Sequence, residues 1–187
     1  MKKVLKSIRP VVLSFAFFTL ICGLLYPLSV TLISGMVFPH QAEGSLITIT
    51  TEDHQTSLIG SSLMGQTFTQ PQYMIGRPSG STNLSPVSIE YQKIIEARIA
   101  WWHAFDPSNT AKIPSDLIQA SASGVDPYIS VDAANYQVSR IARVRGLSEE
   151  AVRALIKAHT IHPFLGLWGD PVVNVLEVNL ALDGLKA

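Results

Sequence analysis

Between Pro10 and Ala42 the chain carries no aspartate, glutamate, lysine or arginine. Fourteen of the residues from Val11 to Ile33 are Val, Ile, Leu or Phe. At roughly −0.3 to −0.6 kcal/mol each at mid-bilayer, they favour insertion by about 4–8 kcal/mol before polar residues and Pro27 are subtracted. A helix of that length spans about 30 Å of hydrocarbon. Cysteine is nearly absent too. The only one, Cys22, lies inside this run, so nothing downstream can be stapled by an intramolecular disulfide. A basic surplus is missing, with 14 lysines and arginines against 14 aspartates and glutamates. That balance argues against a nucleic-acid partner. No internal repeat and no G-x-S-x-G nucleophile elbow occur, since Gly76-Arg-Pro-Ser-Gly80 has the wrong spacing.

What is present then gives an orientation. Lys2, Lys3, Lys6 and Arg9 precede the apolar run, and no further Lys or Arg appears until Arg77. The positive-inside rule therefore expects a cytoplasmic N-terminus and an outside domain. A cleaved signal peptide fits less well. The run is too long, and its exit, Ser34-Gly-Met-Val-Phe-Pro39, offers no A-x-A-like site. The expected organisation is a cytoplasmic segment at 1–10, a transmembrane helix at 11–35 and an extracytoplasmic domain at 36–187. Pro27 inside the span hints at a partner helix that satisfies the freed carbonyl.

The domain reads as α+β, one mixed α/β unit with a small sheet and four to five helices. Ser45–Thr50 is β-prone, and Leu58–Phe68 holds room for another short strand. Gly76 to Pro86 reads as a loop. Ser85-Pro86 predicts a helix start, with Tyr91, Ile94, Ile95, Ile99 and Trp102 on one face and Asp106-Pro107 as the stop. Pro114-Ser115 predicts a short helix that ends near Gly124. Ala134, Val138, Ile141 and Ala142 mark a third, with Arg140, Arg143 and Arg145 on its rim and Gly146 as its C-cap. Ser148 caps a fourth with a stripe of Val152, Leu155, Ile156 and His159. Pro171 to Val178 reads as a strand, and Asn179 as the cap of a last helix to Leu185.

Few residues suggest chemistry. Gly60-Ser-Ser-Leu-Met-Gly-Gln-Thr67 differs by one residue from a P-loop, with Gln66 in the lysine position. The lost ammonium, the weak strand before it and Pro71 after it argue against phosphate binding. His159 and His162 have helical i, i+3 spacing, but a zinc site lacks further ligands in the sequence. Asp106, Asp126, Asp132 and Asp170 stand where turn or cap duty is expected. Ser121 and Ser123 look like helix-end polar residues. The arginines at 140, 143 and 145 suit either an anion or a solvated face paired with Glu149 or Glu150. No residue is assigned to catalysis, to a cofactor or to a metal.

Several stretches taken together carry a resemblance. Arg9-Pro10, Tyr26-Pro27 and Phe38-Pro39-His-Gln-Ala-Glu-Gly-Ser-Leu46 come first, then Gly60 to Phe68 and Gly76-Arg-Pro-Ser79. Ser121-Ala-Ser-Gly-Val-Asp-Pro127, Ala133-Ala134 and Val172-Val-Asn-Val-Leu-Glu-Val-Asn-Leu-Ala-Leu-Asp183 follow. In this order, almost end to end, the chain resembles the C subunit of the Kdp potassium-transporting P-type ATPases. It departs in the short connection from Ser79 to Thr82-Asn-Leu-Ser85, where the family has a longer loop. The resemblance implies a single-span accessory subunit in a bacterial cell membrane. Its partners would be a potassium-selecting A subunit and an ATP-hydrolysing B subunit. It implies a catalytic chaperone that raises the B subunit's affinity for ATP, with ATP used by that partner. The chain has no Asp-Lys-Thr-Gly phosphorylation motif and is expected not to be catalytic by itself. Two other readings compete: a membrane-tethered extracytoplasmic binding module that works alone, and a tethered hydrolase.

Overall fold

A computed structural model describes residues 2–50 and 56–185. The chain divides into two compact units, Met1–Ser45 and Leu46–Ala187.

The first unit is helical. Helix α1 covers Lys2–Leu20, a single π turn covers Ile21–Leu25, α2 covers Tyr26–Val37 and a short α3 covers Pro39–Ala42. Proline explains the π turn. Pro27 has no N–H to donate four residues back, and its ring crowds the Gly23 carbonyl. The turn before it widens, so that the Tyr26 N–H reaches the Ile21 carbonyl five residues earlier. Ser29 and Ser34 donate to the Leu25 and Val30 carbonyls, each at 2.7 Å. Ile8–Val37 is long and apolar enough to cross a bilayer, with a mean hydropathy of 2.2 over its most apolar part. No residue from Ile8 to Val37 is buried.

The second unit is α+β, as expected, with five α-helices among the described residues. Strands β1 (Leu46–Thr50) and β2 (Thr56–Ser61) form an antiparallel pair. A second antiparallel sheet has the order β3-β5-β4, from Tyr128–Ser130, Val172–Asn174 and Thr160–Ile161. The helices are α4 (Ile89–Phe105), α5 (Val131–Tyr136), α6 (Val138–Arg145), α7 (Glu149–Ala158) and α8 (Val175–Leu182). The main core joins Met74, Trp102, Ile129, Ile141, Val152 and Val173. A smaller cluster packs Ile47 of β1 on Leu176 and Leu180 of α8.

Several elements differ from the sequence expectation. Helix α4 begins three residues late, because residues 85–88 close a turn and Ser88 accepts the Tyr91 N–H at 3.2 Å. Its apolar face and its stop at Asp106 are as expected. The short helix after Pro114 shrinks to one 3₁₀ turn, Ser115–Leu117. Beyond it, Ser121 and Ser123 turn their hydroxyls onto nearby backbone N–H groups, which competes with helix. The third helix is broken in two at Gln137. Gly146 (φ +67°) ends α6 and Ser148 caps α7 as expected. The strand Pro171–Val178 is cut short, since Asn174 accepts the Glu177 N–H and starts α8. Asn179 is therefore a mid-helix residue and not a cap. Almost every side of α8 is buried, so its sequence shows no polar face to betray the helical period.

Candidate functional site

Four stretches separated in sequence meet at one end of the domain: Gly60–Thr67, Gly76–Ser79, Ser121–Pro127 and the start of α8. Side chains clamp the segment that leads into Gly76. Asn179 accepts the Met74 N–H at 2.7 Å and donates to the Met74 carbonyl at 3.0 Å. One residue on, Gln137 treats Ile75 the same way, at 2.8 and 2.9 Å. Two amide side chains, one in α8 and one at the break between α5 and α6, thus take the place of a neighbouring strand. Arg140 adds bonds to the Pro71 and Tyr73 carbonyls and to the Gln137 amide oxygen, the last two at 3.0 and 2.7 Å. Arg145 donates to the Gln72 and Leu182 carbonyls and pairs with Asp183 at 2.7 Å.

These contacts correct the expected rim of arginines. Arg140 is 1% exposed. Burial lowers its guanidinium to about 10, still well above neutral pH, so it stays charged. Arg143 pairs with the buried Asp106 at 2.8 Å. None of the three meets Glu149 or Glu150. It is Arg153 that pairs with Glu149, at 3.1 Å. The Ser139 hydroxyl and Arg153 together hold the Glu149 carboxyl below its usual range.

The glycine pattern of Gly60–Thr67 has a packing cause. A Cβ on Gly60 would fall 1.6 Å from the Gln66 amide nitrogen, which donates to the Ile59 carbonyl at 3.3 Å. A Cβ on Gly65 would fall 2.6 Å from the Asp126 carbonyl oxygen. The Gly65 N–H is bonded to the Val125 carbonyl at 2.6 Å. No helix follows the loop until Ile89, so no helix N-terminus faces a phosphate. The cavity beneath it measures about 20 Å³, room for roughly one water molecule. Opposite, Gly124 (φ +73°) accepts the Gly80 N–H at 2.9 Å, and Asn174 donates to the Ser62 carbonyl at 2.9 Å.

A larger groove of about 330 Å³ opens beside this junction. Thr67, Phe68, Arg77, Arg98, Trp101 and Leu117 are among its walls. Arg77 pairs with Asp116 at 3.2 Å, and Asp116 also accepts the Ser130 N–H at 2.7 Å. Arg98 donates to the Ile118 carbonyl at 2.8 Å. The Arg77 Nε is buried and has no partner among the described residues. Two guanidiniums against one carboxylate leave the wall cationic. Its chemistry suits recognition of an anionic group beside an apolar one.

The remaining sequence candidates lie apart. His159 closes α7, 3.6 Å from the Glu177 carboxylate, while His162 follows β4 and is exposed, so one helix does not present both. Among the described residues no three His, Cys, Asp or Glu side chains are grouped to hold a metal. Asp126 accepts the Tyr128 N–H at 3.0 Å, Asp132 lies in the first turn of α5, and Asp170 is exposed before β5. Sequence reasoning missed the amide clamps, because a buried Gln or Asn has no periodic signature. It also missed the groove, whose walls come from segments far apart in the chain.

The comparisons follow the same stretches. A family profile described as the c chain of K+-transporting ATPase matches residues 8–184. The chain belongs to the KdpC family. Its match takes in the apolar helix and the whole described domain. A potassium-transporting ATPase KdpC subunit of Listeria monocytogenes is 51% identical, over all of both chains. KdpC subunits of Janthinobacterium and Herminiimonas arsenicoxydans are 45% and 42% identical, over 95% of this chain and 97% of theirs. Gly76-Arg-Pro-Ser79 and the Ser121–Pro127 turn, which carried the resemblance in sequence, are walls of the KdpC junction described above.

Proposed function

We propose that this chain is the accessory subunit of an ATP-driven, high-affinity potassium-uptake complex. The full-length match to the KdpC family, covering helix and domain together, carries this reading. In it, Ile8–Val37 crosses the bacterial cell membrane once. The cations before the span put the N-terminus in the cytoplasm, with Leu46–Ala187 outside. The partners are a potassium-selecting A subunit and an ATP-hydrolysing B subunit, and this chain is not catalytic by itself. It supports assembly and raises the B subunit's affinity for ATP. That effect needs no contact with ATP. If this chain and ATP both prefer one conformation of the membrane subunits, each raises the apparent affinity for the other by the same factor. The water-sized cavity under Met64–Thr67 has no room for a nucleotide, which supports an indirect route.

One observation favours a second reading, the tethered binding module. The Arg77–Arg98 groove is large enough for a small anionic ligand. Purification of tagged protein in detergent, expressed from its native operon, separates the two. Recovery with large multispan subunits is the expected result. Recovery alone, with a small molecule in the groove, would replace the accessory reading.

A further inference from the structure

The connection from β4 to β5 carries four large apolar side chains at its tip. Phe164, Leu165, Leu167 and Trp168 are 72%, 73%, 72% and 68% exposed. No charged residue occurs from Pro163 to Gly169. The tip is nevertheless ordered. Phe164 and Trp168 face each other across an antiparallel bridge, with rings stacked at 6.4 Å. The Leu167 N–H returns to the Phe164 carbonyl at 3.1 Å. Between them Leu165 (φ +53°) and Gly166 (φ +70°) are both left-handed, as in a type I′ turn. That turn prefers Asn-Gly. Leucine in the first position is strained and is held out into water. Strain of this kind, in a hydrophobic side chain left 73% exposed, points to a use outside the domain.

The shape and size of the tip select the occupant. A fluid bilayer accepts any conformer of an apolar loop, whereas a strained turn with stacked rings presents one fixed shape. Fixed shape is what a protein socket rewards. With Phe and Trp side chains of about 150–250 Å² each, the exposed tip amounts to on the order of 500 Å². That falls short of the ~800 Å² per partner of a stable free-standing complex. The tip alone would not hold a soluble partner or a second copy. It suffices for a partner that already lies in the same membrane, where a tether makes docking intramolecular. The absence of charge calls for an uncharged socket.

We infer that the Phe164–Trp168 hairpin anchors the domain in an uncharged apolar socket on a membrane-embedded subunit of the same ATPase. The inference rests on the accessory reading above. The test uses intact membranes that express the whole complex, with p-benzoylphenylalanine in place of Trp168. Irradiation should join this chain to a multispan subunit of the complex, identified by mass spectrometry. Adducts with lipid only, or with a second copy of this chain, would overturn the inference. A second arm uses Leu165→Asn, which creates the preferred Asn-Gly turn. This variant should unfold at or above the parental temperature, yet its recovery with tagged partner subunits under stringent washing should fall at least about tenfold. Parental recovery of both Leu165→Asn and Trp168→Ser would also overturn it. If the unaltered chain fails to co-purify, the accessory reading fails; if it co-purifies and so do both variants, only the hairpin inference fails.

Discussion

Replacing Asn179 by leucine tests whether an amide side chain truly stands in for a missing strand. Asn179 is 2% exposed and exchanges two hydrogen bonds with Met74, which is wholly buried. Leucine has a similar volume and leaves both the Met74 N–H and carbonyl without that partner. Each buried, unsatisfied group costs about 1–3 kcal/mol. The added apolar burial returns about 1–2 kcal/mol. The expected net loss is about 2–4 kcal/mol. For a domain of this size each kcal/mol moves Tm by about 3–5 °C, so a drop of roughly 6–20 °C is expected. Tryptophan fluorescence of the full chain in detergent reads it, since Trp102 is buried in the same core. Loss of the two bonds that hold Met74 should also loosen Gly76 and Arg77, raising amide exchange there before global unfolding. A fall of less than about 3 °C with unchanged exchange would refute the clamp.

Other perturbations separate packing from chemistry. Gly65→Ala should destabilise the domain by about 1–3 kcal/mol in urea, because the new methyl meets a backbone carbonyl that cannot turn aside. Gly76→Ala, whose Cβ would stand at an ordinary 3.6 Å from Val175, should cost far less; equal losses would refute the packing account. The Tyr73 hydroxyl donates to Asp183 at 3.0 Å, and that bond raises its proton affinity above the usual phenol value. A raised folded value gives stability that is complete below about pH 10 and is lost as pH rises through it. The denaturant midpoint of Tyr73→Phe should therefore fall less between pH 8 and 11 than that of the parent, and parallel curves would count against the bond. Replacing Val11 to Ile33 by leucines should leave the chain inserted but reduce complex recovery and potassium-limited growth. Parental growth would reduce the span to an anchor.

How much of this was legible in the sequence depends on what kind of force builds each part. The apolar helix was legible because hydrocarbon partitioning is additive along the chain; its π turn was not read in advance, although its cause, proline's missing N–H, is local. Helix α4, the Gly146 cap and the Ser148 start were likewise local. The β5–α8 boundary was not. Valines at 172, 173, 175 and 178 favour strand, and only the packing of α8 between the hairpin and the main core decides for helix. The arginines misled for a related reason. Charge in a helix sequence reads as surface, yet Arg140 spends its guanidinium on carbonyls of Pro71 and Tyr73, nearly seventy residues away. The glycines of Gly60–Thr67 imitated a phosphate loop because backbone contact and phosphate contact both require a missing Cβ. The partner at Gly65 proved to be the Val125–Asp126 backbone, which no local pattern announces.

The central claim is that this chain changes the ATP affinity of a partner it does not replace. It is tested by the ATP-concentration dependence of potassium-stimulated hydrolysis, measured on detergent-purified complex with and without this subunit. The half-saturating ATP concentration should rise clearly when the subunit is absent, with a smaller change in maximal rate. An unchanged half-saturating concentration, in a preparation that still hydrolyses ATP, would contradict it.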